Sequence, residues 1–156
     1  MSTLFKKLNL GAHPVIHVLN APPSFEPELA VLKDVTVKRS VSGSAAFAMA
    51  FVITQAQLDA ASSRLAAACV GDAVLWMVYP KGTSKRYRCE FNRDSGWAAL
   101  AAAGFEPVRM IAVDEDWSAL RFRRVEHIRA MTRSRDHSIS QAGKKKTAAR
   151  RSARKT

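Results

Sequence analysis

The sequence predicts an α/β fold of the three-layer, Rossmann-like kind. A mostly parallel sheet carries helices on both faces and an antiparallel C-terminal hairpin at one edge. Three observations lead there. Short apolar runs at 15–19, 46–53 and 73–79 have the pattern of strands buried on both faces. Segments with helical spacing and helix-terminal signals lie between them. Two alternating arms, 108–113 and 118–123, flank the acidic turn Asp114-Glu115-Asp116-Trp117 and read as a hairpin.

The first strand ends in Asn20-Ala21-Pro22-Pro23, where the prolines cannot donate to a continuing ladder. Ser24 is placed as the N-cap of a short helix over 25–33, with Pro27 tolerated in its first turn. The alternation Val35-Thr36-Val37-Lys38-Arg39 predicts a second strand with one polar face, and Ser42-Gly43-Ser44 a turn. The third strand, 46–53, is almost wholly apolar and so belongs at the centre of the sheet. Thr54-Gln55-Ala56-Gln57 has capping-box spacing. The helix it opens places Leu58, Ala61, Leu65 and Ala68 on one face, and Gly71 stops it. A fourth buried strand, 73–79, ends at Pro80, and a cation-rich loop leads to Asn92 or Asp94 as cap of a helix over 95–103. In the last arm Leu120 and Phe122 face one way, Arg121 and Arg123 the other.

The chain has 156 residues, 47% hydrophobic and 24% charged, enough for one domain that buries roughly two thirds of its unfolded surface. Two cysteines, Cys69 and Cys89, cannot build a disulfide scaffold or a four-ligand zinc site. No apolar run is long enough to span a bilayer. Lys6 and Lys7 are followed by Leu8-Asn9-Leu10-Gly11 in place of a secretory apolar core, so a cytoplasmic chain is expected.

The formal net charge of +12 is unevenly placed. Residues 1–131 hold 16 Lys and Arg against 12 Asp and Glu, a net of +4. Residues 132–156 hold 9 against Asp136 alone, a net of +8, with Ile139 as the one large aliphatic residue and no aromatic one. Such a segment cannot bury enough apolar surface to offset its ordering entropy. The expected organisation is therefore a single α/β domain over 1–131 and a disordered Lys/Arg/Ala-rich tail over 132–156. Lys144, Lys145, Lys146, Arg150, Arg151, Arg154 and Lys155 would contact nucleic-acid phosphates without reading sequence, each contact releasing a counterion. The interleaving with alanine resembles the basic tails of bacterial histone-like proteins. A solubilising extension with no dedicated partner has the same composition.

From residue 46 to residue 124 the element order resembles the second half of the methyltransferase version of the Rossmann fold. That family needs a glycine-rich turn after its first strand so that backbone amides can approach the cofactor. Here the turn Asn20-Ala21-Pro22-Pro23-Ser24 has no glycine and two residues without an N–H. Several segments also resemble an uncharacterised family of small bacterial α/β proteins: Asn20-Ala21-Pro22, Trp76, Tyr79-Pro80-Lys81-Gly82-Thr83-Ser84-Lys85, Asn92-Arg93-Asp94 and the stretch from Asp114 to Arg123. That resemblance covers most of 15–124 and implies a fold but no activity.

In an open parallel sheet, ligands sit beyond the carboxyl ends of the strands. Segments 20–24, 39–44 and 79–86 are expected to meet there. Asn20, Lys81, Thr83, Ser84, Lys85 and Arg86 are the candidate ligand-binding residues, their cations and hydroxyls suited to a phosphate or carboxylate. A solvated basic loop is the alternative. His13 and His17 are four apart, but the strand pattern and Pro14 argue against a helical metal pair. The acids at the hairpin tip read as turn formers, with Asp114 or Asp116 pairing to Arg121 or Arg123. Cys89 lies near Lys85, Arg86 and Arg88, a setting that can lower a thiol pKa, but with no histidine nearby in sequence to act as base a lone cysteine reads as inert. No metal or cofactor is expected. The leading functional expectation is a non-catalytic protein that contacts anionic partners, nucleic acid foremost, through its tail. The rival is a binding module for phosphate- or nucleotide-bearing molecules, or a degenerate methyltransferase-like enzyme, built on the loop after the fourth strand.

Overall fold

The computed structural model describes residues 3–128. It contains α1 (Thr3–Lys7), β1 (Val15–Leu19), a 3-10 turn (Pro23–Phe25), α2 (Glu26–Ala30), β2 (Thr36–Lys38) and β3 (Phe47–Phe51). There follow α3 (Gln55–Ala68), β4 (Val74–Pro80), α4 (Ala98–Ala102), β5 (Phe105–Ala112), β6 (Trp117–Arg124) and a closing 3-10 turn (Val125–His127). The six strands form one sheet in the order β2-β1-β3-β4-β6-β5. The pairs β1–β2, β1–β3 and β3–β4 are parallel. Strand β6 is antiparallel to both β4 and β5, so β5 runs parallel with the first four.

The predicted fold class is the observed one. The hairpin lies at the sheet edge, and its second arm is the inner one. Burial explains the insertion: β6 buries Trp117, Ser118, Ala119, Leu120 and Phe122, whereas β5 exposes Val108, Arg109 and Met110. The arm with apolar residues on both faces takes the inner place.

Strand β3 shows how the two faces differ. Ala48 and Ala50 point to the side of α3, where they pack with Leu58, Leu65, Leu75, Met77, Leu120 and Phe122. Phe47, Met49 and Phe51 point to the other side, with Phe5, Leu8, Phe25, Trp76 and Val78. Small side chains let the long helix approach closely, and large ones fill the face that only short helices cover. Helix α1 has no counterpart in the sequence prediction, because five residues are too few to show a period. It is held by burial of Phe5, Leu8 and Leu10 and by the Trp76 indole, whose Nε1–H donates to the Leu8 carbonyl at 2.9 Å.

The capping box on α3 forms as predicted. The Gln57 amide donates to Thr54 Oγ1 at 3.1 Å, and Gln57 Oε1 accepts from the Thr54 amide at 3.1 Å. At the other end Arg124 satisfies the last carbonyls. Its guanidinium donates to Ala66 O at 2.8 Å and Cys69 O at 2.9 Å, and lies 4.6 Å above the Phe105 ring. One cation thus closes the C-terminus of α3 against β5.

Two expected caps do not form. Pro23 fixes a helical φ early, so a 3-10 turn begins there and Ser24 falls inside it; α2 starts at Glu26 without a side-chain cap. Asn92 closes a local turn instead of capping α4, its Oδ1 accepting from the Asp94 amide at 2.8 Å and Ser95 Oγ at 3.2 Å. Helix α4 begins three residues later than expected. Among the described residues no helix is long and apolar enough to cross a membrane.

Thr54→Ala should lower stability by about 1 kcal/mol through loss of the cap, and Arg124→Ala by about 2 kcal/mol through orphaned carbonyls. Urea denaturation followed by circular dichroism measures both, and an unchanged midpoint for Arg124→Ala would contradict the clamp.

Candidate functional site

The sheet's strand order reverses between β1 and β3, which makes that point the topological switch of an open α/β sheet. Beyond the carboxyl ends the described residues form separate hollows, where the sequence suggests one meeting place. The first, of about 420 Å³, is bordered by Asn20, Arg39, Ser40 and, from α3, Gln57 and Arg64. Asn20 stands here in the left-handed region with φ +60°. Gln57 and Arg64 are missed by sequence reasoning, because helical spacing reports the buried face of α3 and not its polar flank.

Arg39 is engaged by Glu26 through two bonds of 2.7 Å, and this fork lowers the Glu26 pKa. His17, on β1, is buried and its Nδ1–H donates to the Ser40 carbonyl at 3.0 Å, which ties the end of β2 to the sheet. The turn that follows β1 begins Asn20-Ala21, and Pro22 and Pro23 then lack N–H groups. The Pro22 carbonyl accepts from the Phe25 amide at 2.9 Å. An anion approaching this turn meets few donors.

The second hollow, of about 710 Å³, lies beyond the end of β4. Tyr79, Lys81, Thr83, Arg88, Phe91 and Arg93 are among its borders. The loop around it is held by specific bonds. Glu90 Oε1 accepts from the Gln55 amide at 2.8 Å, and Gln55 Nε2 donates to Gly96 O at 2.8 Å. The Trp97 indole donates to the carbonyls of Asn92 at 2.8 Å and Arg93 at 3.1 Å. Gly96 has φ +98°, and a Cβ there would lie 2.7 Å from Phe91 Cβ and 2.8 Å from Gln55 Oε1. Glycine is required on both counts.

The six expected ligand residues are therefore divided. Lys81, Thr83 and Ser84 border the second hollow, and Asn20 borders the first. Thr83 also borders a third hollow, of about 550 Å³, with Lys85, Arg86, Glu115 and Asp116. Ser84 is occupied in holding the loop: its Oγ donates to Asp116 Oδ1 at 2.8 Å and accepts from the amides of Arg86 and Tyr87. Arg86 lies 3.9 Å from Asp116. Arg88 and Arg93 join Lys81 only because the loop folds back, which nothing in the local sequence announces.

The expected pairing of the hairpin acids with Arg121 or Arg123 is not observed. Asp114 Oδ1 accepts from the amides of Asp116 and Trp117 at 2.8 and 2.9 Å, and Arg123 pairs with Asp72 at 2.6 Å. Along β6 the arginines lie too far from the tip, at about 3.3 Å per residue. At Cys89 the neighbouring cations do not lower the pKa, which agrees with the inert reading. Burial pushes its thiol pKa up, and Glu90 reinforces the shift. Burial raises Cys69 to about 11, with Arg124 opposing. Both sulfurs are held protonated near neutral pH. Among the described residues no group of three or more His, Cys, Asp or Glu side chains is placed to hold a metal ion.

No family model and no curated protein sequence matches this chain. The resemblance to a family of small bacterial proteins therefore stands on its short segments alone. Solved structures similar to the chain include two at low identity. One is the N-methyltransferase NodS from Bradyrhizobium japonicum WM9, at TM-score 0.48 and 12% identity over 78% of this chain and 93% of that one. The other is the pyocyanin biosynthetic protein PhzM, at TM-score 0.47 and 12% identity over 76% and 52%. At these scores the likeness assigns no cofactor and no residue role.

Gly96→Ala should cost roughly 1–3 kcal/mol by overpacking against Phe91, read from the urea midpoint. The buried thiol makes stability depend on pH. The unfolded chain releases the Cys69 proton near pH 9, the folded chain near 11. This contribution to stability is complete below about pH 9 and falls as pH rises towards 11. The urea midpoint should decline across that window, less steeply in Cys69→Ala, and iodoacetamide should label Cys69 only after unfolding.

Proposed function

We propose that this chain is a non-catalytic polyanion-binding protein whose α/β domain carries a basic segment that contacts nucleic-acid phosphates. The observation behind the reading is the placement of charge: residues 132–156 hold a net +8, residues 1–131 only +4. Lys144, Lys145, Lys146, Arg150, Arg151, Arg154 and Lys155 lie outside the described residues, so the reading stands on sequence and electrostatics. Cations strung along a polar segment neutralise phosphates irrespective of base sequence, and the binding weakens as salt rises. No aromatic residue occurs in 132–156 on which an exposed base could stack, so recognition is of backbone and not of sequence.

The domain's own features agree with a binding role. Its two thiols are held protonated, and the turn after β1 has two prolines where a cofactor would need amide donors. A degenerate methyltransferase-like enzyme draws no support from that turn.

The test is fluorescence anisotropy with duplex and single-stranded DNA across a salt series. It compares the full chain with a full-length variant in which the seven tail cations are replaced by glutamine. The slope of log affinity against log salt should become shallower by up to about 6 units on duplex DNA, roughly 0.9 for each phosphate that is no longer neutralised. Equal affinity and equal slope in the two chains would overturn the proposal.

A further inference from the structure

The hollow beyond β4 has properties that polyanion binding through 132–156 does not use. Lys81, Arg88 and Arg93 reach it from three points of one loop, and among the described residues none of the three is in an ion pair. Neighbouring polar groups are consumed: Ser84 and Arg86 by Asp116, and Glu90 by the Gln55 amide. Glu90 borders the hollow as its acid, and Asp94 follows Arg93 in the chain, so the cations outnumber the acids. Arg93 is close enough to Tyr79 to favour its phenolate, although burial wins and raises the phenol pKa.

The loop is irregular but not free. Its backbone is tied to the segment after β3 by the Glu90 amide, which donates to Ile53 O at 3.1 Å. It is tied to α3 through Gln55 and to the aromatic cluster through Trp97, whose ring centroid lies 5.3 Å from that of Phe91 and 5.6 Å from that of Tyr79. Three like charges thus border one hollow on a loop framework held by the protein's own hydrogen bonds and aromatic packing. A preorganised site loses little entropy on binding. The volume falls within the roughly 300–1,000 Å³ of small-molecule pockets, and the place beyond a strand's carboxyl end is where open α/β sheets hold ligands.

We propose that this hollow binds a small phosphate- or carboxylate-bearing molecule, its anionic group held by Lys81, Arg88 and Arg93. Thr83 and the Asn92 amide are neutral donors at its border. The Asn92 oxygen already accepts two bonds, which leaves its NH2 group to donate.

The test uses the full-length chain with the seven tail cations replaced by glutamine, so that anions cannot be taken up by the tail. Isothermal titration calorimetry is run with inorganic phosphate, adenosine monophosphate and citrate. The expected result is saturable one-site binding of at least one probe. Phosphate and adenosine monophosphate report a phosphate site, citrate a carboxylate site. Arg88→Gln and Arg93→Gln should each weaken binding by about tenfold. Both arginines are exposed, and a thermal melt confirms that each variant is folded. Absence of saturable binding by all three probes overturns the proposal, as does equal affinity in the arginine variants. Binding seen only with the tail cations present also overturns it, and leaves the polyanion reading standing.

Discussion

The burial of β4 is the constraint on which the rest of the molecule depends. All seven residues from Val74 to Pro80 are buried, so both faces of this strand and both of its edges must be covered. Strand β3 covers one edge in parallel and β6 the other in antiparallel. Leu75, Met77 and Tyr79 require α3 and α4 on one side; Trp76 and Val78 require α1, Phe47 and Phe51 on the other. The Trp76 ring is too large to be covered by the sheet alone, and its N–H needs an acceptor. The Leu8 carbonyl supplies one, and that bond fixes where the N-terminal segment lies.

The same burial explains why polar chemistry is pushed to the strand ends. Tyr79 is the last large side chain on its face of β4, and its ring joins Phe91 and Trp97 in a tilted and edge-on cluster. Beyond it the chain turns out into the loop that carries Lys81, Arg88 and Arg93. At the opposite end of the sheet Arg124 has a purely structural role, with its charge spent on helix carbonyls and an aromatic face. Cations among the described residues thus include three different kinds. Some are paired, as Arg39, Arg86 and Arg123; Arg124 is a clamp; and Lys81, Arg88 and Arg93 border one hollow. Net charge alone distinguishes none of these.

Much of the fold was legible in the sequence. The apolar runs of β1, β3 and β4, the Thr54–Gln57 box and the alternation of β6 are signals that operate within about a dozen residues, and each produced the expected element. The caps at Ser24 and Asn92 failed because two local rules competed. Pro23 favoured an early helical turn, and Asn92 closed a turn with its own neighbours. Helix α1 was illegible because its stability comes from Phe5, Leu8 and Leu10 entering a core assembled by strands far along the chain.

The sequence by itself determined which segments become the six strands and the helices α2 to α4, and that the excess positive charge is concentrated after residue 131. Periodicity and composition are properties of contiguous residues. Only the tertiary structure decided that Asn20 and Lys81 border different hollows, that Arg88 and Arg93 share one, that Arg123 meets Asp72, and that Cys89 is raised instead of lowered. Each of these depends on distance in space and on desolvation, which are set by how the chain closes on itself and leave no trace in local spacing.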